Sequence, residues 1–196
     1  MNSMKRVMAT WVVLLLSVGA VQAHAARANK YHETLALFRN AGESASFFDK
    51  SYAYAVFPTI GEGAVGVGGA HGKGRVYVHG KWVGNVTMNQ LSVGIQLGGK
   101  AFSQIIFFDD KRALDEFESG SFEFGADVSV VAITAGASAS TGTDGADAGI
   151  SGGKKDATTR GEFRKGVAVF TIAKGGLMGQ AAVAGQKFSY TPREES

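Results

Sequence analysis

The sequence predicts an α+β fold: a mostly antiparallel, glycine-rich β-sheet or barrel-like domain with an N-terminal amphipathic helix and one short inserted helix. Three observations lead to this prediction. Glycine accounts for 28 of the 196 residues without a strict three-residue period, apolar residues alternate with glycine in several runs, and helical periodicity is confined to a few short segments. Hydrophobic residues make up 45% of the chain and charged residues 19%, which predicts one folded domain and excludes intrinsic disorder.

Residues 1–25 have the pattern of a secretory signal peptide. Lys5 and Arg6 form a positive start, Trp11 to Val18 is apolar, and small residues suited to cleavage occupy Val21–Ala23 or Ala23–Ala25. A retained membrane anchor is the alternative, but the apolar stretch is shorter than the roughly 18 residues of a spanning helix. We therefore expect an exported, secreted protein that is periplasmic or peripheral to the envelope membranes.

Charge and cysteine content narrow the function classes. Removal of Lys5 and Arg6 with the signal would lower the formal net charge of +3 by two, so the basic pI of 9.1 gives little support to nucleic-acid binding. The chain contains no cysteine, which excludes disulfides, thiol nucleophiles and zinc-thiolate sites.

Residues 26–50 are predicted to form an N-terminal helical segment ahead of the main domain. Tyr31, Leu35 and Phe38 recur at i, i+4 and i+7, which places them on one face of a helix. Gly42 is expected to end this helix. A second short turn is expected around Ser46 to Lys50.

Residues 51–196 are predicted to form the β-rich domain. Glycine alternates with apolar residues in Val65–Gly68 and Val93–Gly98, which leaves one strand face nearly bare. Glycine in a strand costs roughly 0.5–1 kcal/mol relative to alanine, so the bare face indicates either tight sheet curvature or close approach of a ligand. Strands are predicted at Tyr52–Phe57, Arg75–Val78, Trp82–Met88, Phe102–Phe108, Val128–Ile133, Val167–Ala173, Leu177–Val183 and Lys187–Tyr190, with a polar loop at Thr141–Lys155.

One helix is predicted between these strands. Asp110 is expected to cap it, and Gly120 to end it. Its apolar face is formed by Ala113, Leu114 and Phe117. The acidic residues between Asp109 and Glu123 are interpreted as its solvated face.

The motifs that suggest catalysis lack the context that the chemistry needs. The GEGAVG sequence from Gly61 is followed by strand alternation instead of the helix of a dinucleotide site. In GIQLGGK, which ends at Lys100, Ala101 replaces the magnesium-binding hydroxyl of a phosphate loop. His71 and His79 are expected in glycine-containing loops, without metal-ligand spacing. No enzyme activity, cofactor or metal is predicted.

From Tyr52 to Tyr190 the order of short motifs resembles the SYLF domain family. The matching stretches are AYAVFP from Ala53, GVGG from Gly66 with GKG from Gly72, GKW from Gly80, SVGIQLG from Ser92, IIFF from Ile105, GADVSV from Gly125, and VFT from Val169 leading into GGLMGQ from Gly175. The resemblance implies lipid binding, since eukaryotic members bind phosphoinositide-containing membranes and fungal members also contact actin. Export would separate this chain from both partners. The resemblance therefore does not identify the lipid head group that the chain binds.

The predicted partner is membrane phospholipid with an anionic head group, and no nucleic acid is expected. Basic residues near the glycine turns would attract head groups, while aromatic side chains enter the interfacial layer. The candidates are Lys73, Arg75, Lys81 and Trp82 in the first loops, with Lys30, Phe38 and Arg39 on the leading helix.

The sequence is also compatible with two other classes of protein. A periplasmic structural or stress-related module would bind an envelope protein partner through a sheet edge or the bare glycine face. Alternating strands after a signal peptide are also typical of outer-membrane barrels, but no regular ten-residue apolar spacing persists along this chain.

Overall fold

The computed structural model describes residues 28–65, 67–92, 98–120, 122, 124, 130–133, 161–174 and 185–194. The chain divides into two compact units, Met1–Glu33 and Thr34–Ser196. In the first unit, the described residues 28–33 are helical. The predicted signal peptide, the predicted strand Leu177–Val183 and the predicted loop Thr141–Lys155 lie outside the described residues.

The N-terminal segment contains three helices. Helix α1 covers residues 28–40, α2 covers Gly42–Ala45 and α3 covers Phe47–Lys50. Leu35 and Phe38 are buried, which confirms the predicted apolar face. The Ser44 hydroxyl donates to the Phe38 carbonyl oxygen at 2.6 Å and so satisfies a backbone acceptor near the end of α1.

Seven strands form a single sheet. They are β1 (Ala53–Val65), β2 (Val67–Val78), β3 (Lys81–Ser92), β4 (Gly98–Phe108), β5 (Val130–Ile133), β6 (Val167–Lys174) and β7 (Gln186–Pro192). The order is β5-β6-β4-β1-β2-β3-β7, and only the β5–β6 pair is parallel among these strands. The predicted α+β, mostly antiparallel fold is confirmed, and the described sheet is not closed into a barrel.

Strand β2 is longer than the sequence pattern predicted. His71, Lys73 and Arg75 were expected in or beside glycine loops, but all three lie inside Val67–Val78. The placement in loops was wrong because Gly72 and Gly74 are ladder residues, paired with β1 and β3, and not turn residues. The turn itself is His79–Gly80, where both residues have positive φ, as a two-residue hairpin requires.

One face of the sheet carries the hydrophobic core. Its members include Ala53, Ala55, Phe57, Ile60, Val76, Val86, Met88, Ile106, Phe108, Val169 and Phe188. Helix α4 (Lys111–Glu118) packs on this face through Ala113, Leu114 and Phe117. The Asp110 side chain accepts a hydrogen bond from the Ala113 amide at 2.8 Å, which confirms the predicted cap.

Helix α4 also meets strand β7 through a polar pair. Burial raises the pKa of Tyr190 to about 12, and the charge and hydrogen bond of the Glu118 carboxylate act in the same direction. Burial also raises the pKa of the Glu118 carboxyl, although the hydrogen bond from Tyr190 partly opposes this. The interaction between Glu118 and Tyr190 therefore links the last turn of α4 to β7, which is an edge strand of the described sheet.

The sheet curls around its core face. Gln104 on β4 and Gln186 on β7 exchange side-chain amide hydrogen bonds of 2.9 and 3.2 Å, although three strands stand between β4 and β7 in the sheet order. In a flat sheet these strands would lie about 19 Å apart, given the strand spacing. The rings of Phe57 and Phe188 also meet, at 5.9 Å. The core face is therefore concave.

The opposite, convex face is covered over β1, β4 and β6. Phe47 of α3 lies 5.7 Å from Phe107 and 4.8 Å from Phe170, measured between ring centroids. Phe48 lies 5.3 Å from Tyr54. These aromatic contacts hold the short N-terminal helices on one half of the convex face.

Candidate functional site

The other half of the convex face, over β2, β3 and β7, carries polar and cationic side chains. The strand register arranges nine of them in three cross-strand rows, which are Arg75–Asn85–Thr191, Lys73–Thr87–Ser189 and His71–Asn89–Lys187. We name these nine residues the cationic sheet face. All nine are exposed or half-buried, and none is acidic. Their neighbours in the chain, such as Gly74, Met88 and Phe188, are buried on the concave side.

The geometry of a sheet brings the charges of this face close together. Alternate residues of a strand lie roughly 7 Å apart and adjacent strands about 4.8 Å apart, so the three rows cover roughly 10 by 14 Å. This size is comparable to the Debye length of about 8 Å at physiological salt. Lys73, Arg75 and Lys187 therefore act on an approaching charge as one group.

Polar contacts within the face orient its side chains. His71 Nδ1 lies 2.8 Å from Asn89 Oδ1, across the β2–β3 ladder. Because Asn89 Oδ1 can only accept, His71 Nδ1 is the donor in this hydrogen bond. The contact links the third row of the face across two strands.

Trp82 borders the first row and contacts two arginines. The guanidinium carbon of Arg75 lies 3.9 Å from the centre of the Trp82 ring, and that of Arg193 lies 4.4 Å from it. The indole Nε1 donates to the Gly84 carbonyl oxygen at 2.8 Å. The Arg193 amide donates to the Val83 carbonyl oxygen at 2.8 Å. Both arginines are thus held beside one aromatic ring by cation–π contacts.

Arg39 lies where the covered half of the convex face meets the cationic sheet face. Its guanidinium carbon is 4.2 Å from the centre of the Phe48 ring. Burial raises the pKa of the Tyr54 hydroxyl, while the charge and hydrogen bond of Arg39 partly offset this. The Tyr54 ring stacks on Tyr77 of β2 at 5.2 Å. Arg39 therefore lies within the second unit beside Tyr54 of β1, the strand next to β2.

The structure brings together only some of the predicted binding residues. Lys73, Arg75 and Trp82 are neighbours on the convex face, and Arg39 lies at its margin. Lys81 pairs in register with Val78, which packs on the core cluster, so Lys81 lies at the rim of the concave side.

The two remaining candidates lie elsewhere. Phe38 is 0% exposed and belongs to the packed interior, so its side chain is not available to a membrane surface. Lys30 is exposed and helical in the first unit.

His71, Lys187 and Arg193 were not among the binding residues predicted from the sequence. Two of these carried a usable signal, because polar residues recur at every second position in both strands. In β2 positions 71 and 73 are exposed and positions 75 and 77 are half-buried, and in β7 positions 187, 189 and 191 are exposed. The contact between Arg193 and Trp82 spans more than a hundred residues and has no local signature.

The glycines near the face divide into two kinds. A Cβ added to Gly72 would lie 2.6 Å from Ile60 Cγ1, and one added to Gly74 would lie 2.7 Å from the Phe57 ring. These bare positions are therefore filled by the protein's own core side chains. Gly61 and Gly63 have nothing within 4 Å of an added Cβ. The side chains of the two glycine runs singled out in the sequence fall largely outside the described residues.

The described ranges contain neither a group of metal-binding side chains nor a helix suited to cross a membrane. Within them, no three side chains of the metal-binding types stand together as a ligand group. In the same ranges, no helix has the length and apolar character needed to cross a membrane.

The fold and this surface define an α+β sheet domain with an open, cationic sheet face. A family model described as "Ysc84: Las17-binding protein actin regulator" matches residues 89–195, which is more than half of the chain. The protein therefore belongs to this family, the SYLF family, as its motifs indicated. The family is generally non-enzymatic, and membership is consistent with lipid binding.

A similar protein is Beta cell expansion factor A from Aeromonas veronii. It is 28% identical over 154 residues, which cover 78% of this chain and 51% of that protein. The chain thus spans about half the length of this curated relative.

Proposed function

We propose that this protein is a non-catalytic lipid-binding protein of the cell envelope that docks on anionic membrane surfaces through the cationic sheet face. The observation that carries the proposal is the set of three cross-strand rows, which hold Lys73, Arg75, Lys187 and His71 with no acidic residue among their nine members. Export rests on the signal-peptide pattern of residues 1–25. Family membership supports lipid as the ligand class.

The expected strength of docking follows from the number of cations. A lysine or arginine held near an anionic membrane contributes about 1 kcal/mol. Lys73, Arg75, Lys187 and Arg193 together would contribute about 4 kcal/mol, which is roughly a thousandfold in affinity. Because the charges are exposed, we expect salt to weaken this contribution strongly.

A sheet face suits a planar partner better than the loops first predicted. The backbone of β2, β3 and β7 is held by ladder hydrogen bonds, so the side chains share one surface without ordering a loop. Trp82 at the margin is half-buried and has both an apolar ring and a polar N–H group. Indole rings of this kind are favoured at the membrane interface.

A vesicle sedimentation series tests the proposal. Phosphatidylcholine vesicles are compared with vesicles that also contain phosphatidylglycerol, at low and at physiological salt. We expect binding to the anionic vesicles only, and a loss of roughly 30-fold in the double variant Lys73→Gln with Lys187→Gln. Lys81→Gln is the matched control for the single variant Lys73→Gln, because each removes one charge and Lys81 lies at the rim of the concave side.

Two outcomes would contradict the proposal. Equal recovery of the protein with neutral and anionic vesicles at low salt would remove the electrostatic basis. A loss in Lys81→Gln as large as that in Lys73→Gln would show that net charge matters and the face does not. Circular dichroism of each variant verifies that the fold is kept.

The alternative function, a protein-interaction module, is supported by one observation. Strand β7 stands at an edge of the described sheet, where a partner strand could add. Lys187 and Pro192 lie in this strand, and charges and proline on an edge disfavour strand addition. Native mass spectrometry of the protein from its own envelope discriminates the two functions: retained phospholipid supports lipid binding, and a stoichiometric protein without lipid supports the alternative.

A further inference from the structure

We infer that His71 makes docking of the cationic sheet face dependent on pH, because its ring adds a further cation to the face when it takes up a proton. The inference rests on the proposed function and concerns the regulation of the same surface. Its basis is the position of His71 in the third cross-strand row and the hydrogen bond that orients its ring.

The imidazole of His71 is open to a surface that meets the face. The side chain is exposed, and its cross-strand partner on β1 is Gly61, which has no side chain to cover it. Nothing lies within 4 Å of a Cβ added to Gly61, so the space directly above this neighbour is empty of other parts of the chain. A membrane that contacts the three rows therefore contacts the imidazole as well.

The hydrogen bond to Asn89 determines which ring nitrogen changes its protonation state. His71 Nδ1 donates to Asn89 Oδ1 at 2.8 Å. An amide oxygen accepts this bond from the neutral ring and from the protonated ring alike, so Nε2 is the nitrogen that takes up a proton. Protonation thus adds a charge to the face while the ring stays in place, and the change needs no rearrangement of β2.

The charged groups nearest to His71 on the convex side are cationic. Lys73 lies two residues further along β2, and Lys187 lies in the same row on β7, while the residue that β3 contributes to the row is uncharged. Glu62 of β1 pairs with Ala70, which belongs to the core on the concave side. Among the nine residues of the face, histidine is the residue type that changes its charge between about pH 5 and pH 8.

An anionic membrane favours the protonated form of the ring. A surface potential of about −30 mV raises the proton concentration at the membrane roughly threefold, and each additional cation near that surface strengthens binding about fivefold. Protonation and docking therefore favour each other, and the coupling is the same whichever comes first. Docking becomes tighter as the pH falls through the range in which histidine gains its charge, and weaker as the pH rises through it.

The test repeats the vesicle sedimentation at several pH values. Phosphatidylcholine vesicles that contain phosphatidylglycerol are used at constant low salt between about pH 8 and pH 5.5, where histidine titrates and the phosphodiester stays anionic. We expect the unchanged protein to bind about fivefold more tightly at the acid end. His71→Gln should bind with one affinity throughout, equal to that of the unchanged protein at the alkaline end. His71→Lys should bind tightly throughout, because lysine keeps its charge over this range.

Matched controls separate His71 from other groups that titrate. His79→Gln and His32→Gln remove histidines from the β2–β3 turn and from α1, so both should keep the fivefold change. Glu118→Gln is a further control, because burial raises the pKa of that carboxyl, and it should keep the change as well. Circular dichroism at each pH verifies that the variants are folded.

Proton uptake provides a second measurement of the same coupling. The protein is mixed with the anionic vesicles in weakly buffered solution at about pH 6.5, and a pH indicator follows the reaction. We expect the unchanged protein to take up a fraction of one proton per bound molecule, since docking favours the protonated ring. His71→Gln should bind without this uptake.

The possible results distinguish the regulation from the docking itself. A pH dependence that persists in His71→Gln, or that is lost in His79→Gln, would overturn the assignment to His71. Equal affinity of the unchanged protein at both ends of the pH range would overturn the regulation. In each of these cases, binding to the anionic vesicles would leave the proposed function standing. No binding to these vesicles at any pH would overturn the proposed function and this inference with it.

Discussion

Glycine residues on β1 and β2 have different structural roles, depending on the face to which they belong. An added Cβ at Gly74 would lie 2.8 Å from the Val56 carbonyl oxygen as well as 2.7 Å from the Phe57 ring. Backbone cannot move aside cheaply, so this position needs glycine for packing. At Gly61 an added Cβ would meet nothing within 4 Å. Glycine content alone therefore does not identify a ligand surface in this fold.

We predict that Gly74→Ala destabilises the protein by about 1–3 kcal/mol, since it overpacks the core against a strand backbone. Gly61→Ala is the matched control, and it should be neutral or stabilising by up to about 1 kcal/mol, because alanine is favoured over glycine in a strand. Urea denaturation followed by circular dichroism measures both values. Similar free energies of unfolding for the two variants would show that core packing requires glycine no more at position 74 than at position 61.

The predicted binding residues show which structural features the sequence around a single position can indicate. Lys73 and Arg75 both lie on this face, in β2, although their expected setting was a loop. Phe38 could not be assigned to the surface or to the interior from its spacing alone, because an amphipathic helix can bury the same face against protein or membrane. Its 0% exposure results from packing within the second unit.

Helix α4 is the element whose local signals agree most fully with its structure. Asp110 accepts from the Ala113 amide, Leu114 and Phe117 are buried, and Gly120 has a φ of +74° just beyond the helix. Each of these features depends on residues within a few positions of one another. Capping and amphipathic spacing were therefore sufficient to predict the helix.

We predict that Asp110→Ala lowers the free energy of unfolding by about 1 kcal/mol, since the cap hydrogen bond to the Ala113 amide is lost. Asp109→Ala serves as the control, because it removes a neighbouring exposed carboxylate that has no described capping role. The measurement is chemical denaturation at neutral pH. An equal loss of unfolding free energy in both variants would contradict this prediction. It would show that negative charge near the N-terminus of α4, and not the cap hydrogen bond, stabilises the helix.

Strand β2 illustrates an element whose limits the local sequence obscured. The Gly72-Lys73-Gly74 triplet is typical of a turn, yet it lies in the middle of a twelve-residue strand. The decisive contacts come from Phe57 and Ile60, which fill the space above the two glycines. Residues 12 and 17 positions away thus decided whether these glycines lie in a turn or in a ladder. The periodicity of apolar residues over a few positions gives no information about such distant contacts.

At the scale of the whole second unit, curvature of the sheet depends on contacts between distant strands. Gln104 is 0% exposed and its hydrogen-bond partner Gln186 is equally buried, 82 residues further along the chain. The two side-chain amides bond to each other on the concave side, where buried Gln90 stands beside Gln186 in the β3–β7 register. Together with the Phe57–Phe188 contact, this pair holds β4 and β7 across the concave side.

We predict that Gln104→Leu destabilises the protein by about 1–3 kcal/mol, because the Gln186 amide loses its described partner while buried. The double variant with Gln186→Leu should recover part of this loss, since no unsatisfied amide remains. A double-mutant cycle in urea measures the coupling, which we expect to exceed about 0.5 kcal/mol. Strictly additive losses would show that the two glutamines act independently.

The α+β class, the antiparallel strands, helix α4 and the motif order of the SYLF family follow from residues close together in the chain, because capping, alternation and turn chemistry act over a few residues. The concave core, the two roles of the glycines and the grouping of Arg75 with Trp82 and Arg193 were decided only by the tertiary structure. These features depend on which strands become neighbours when the sheet curls, and pairing over such distances leaves no periodic signal in the sequence.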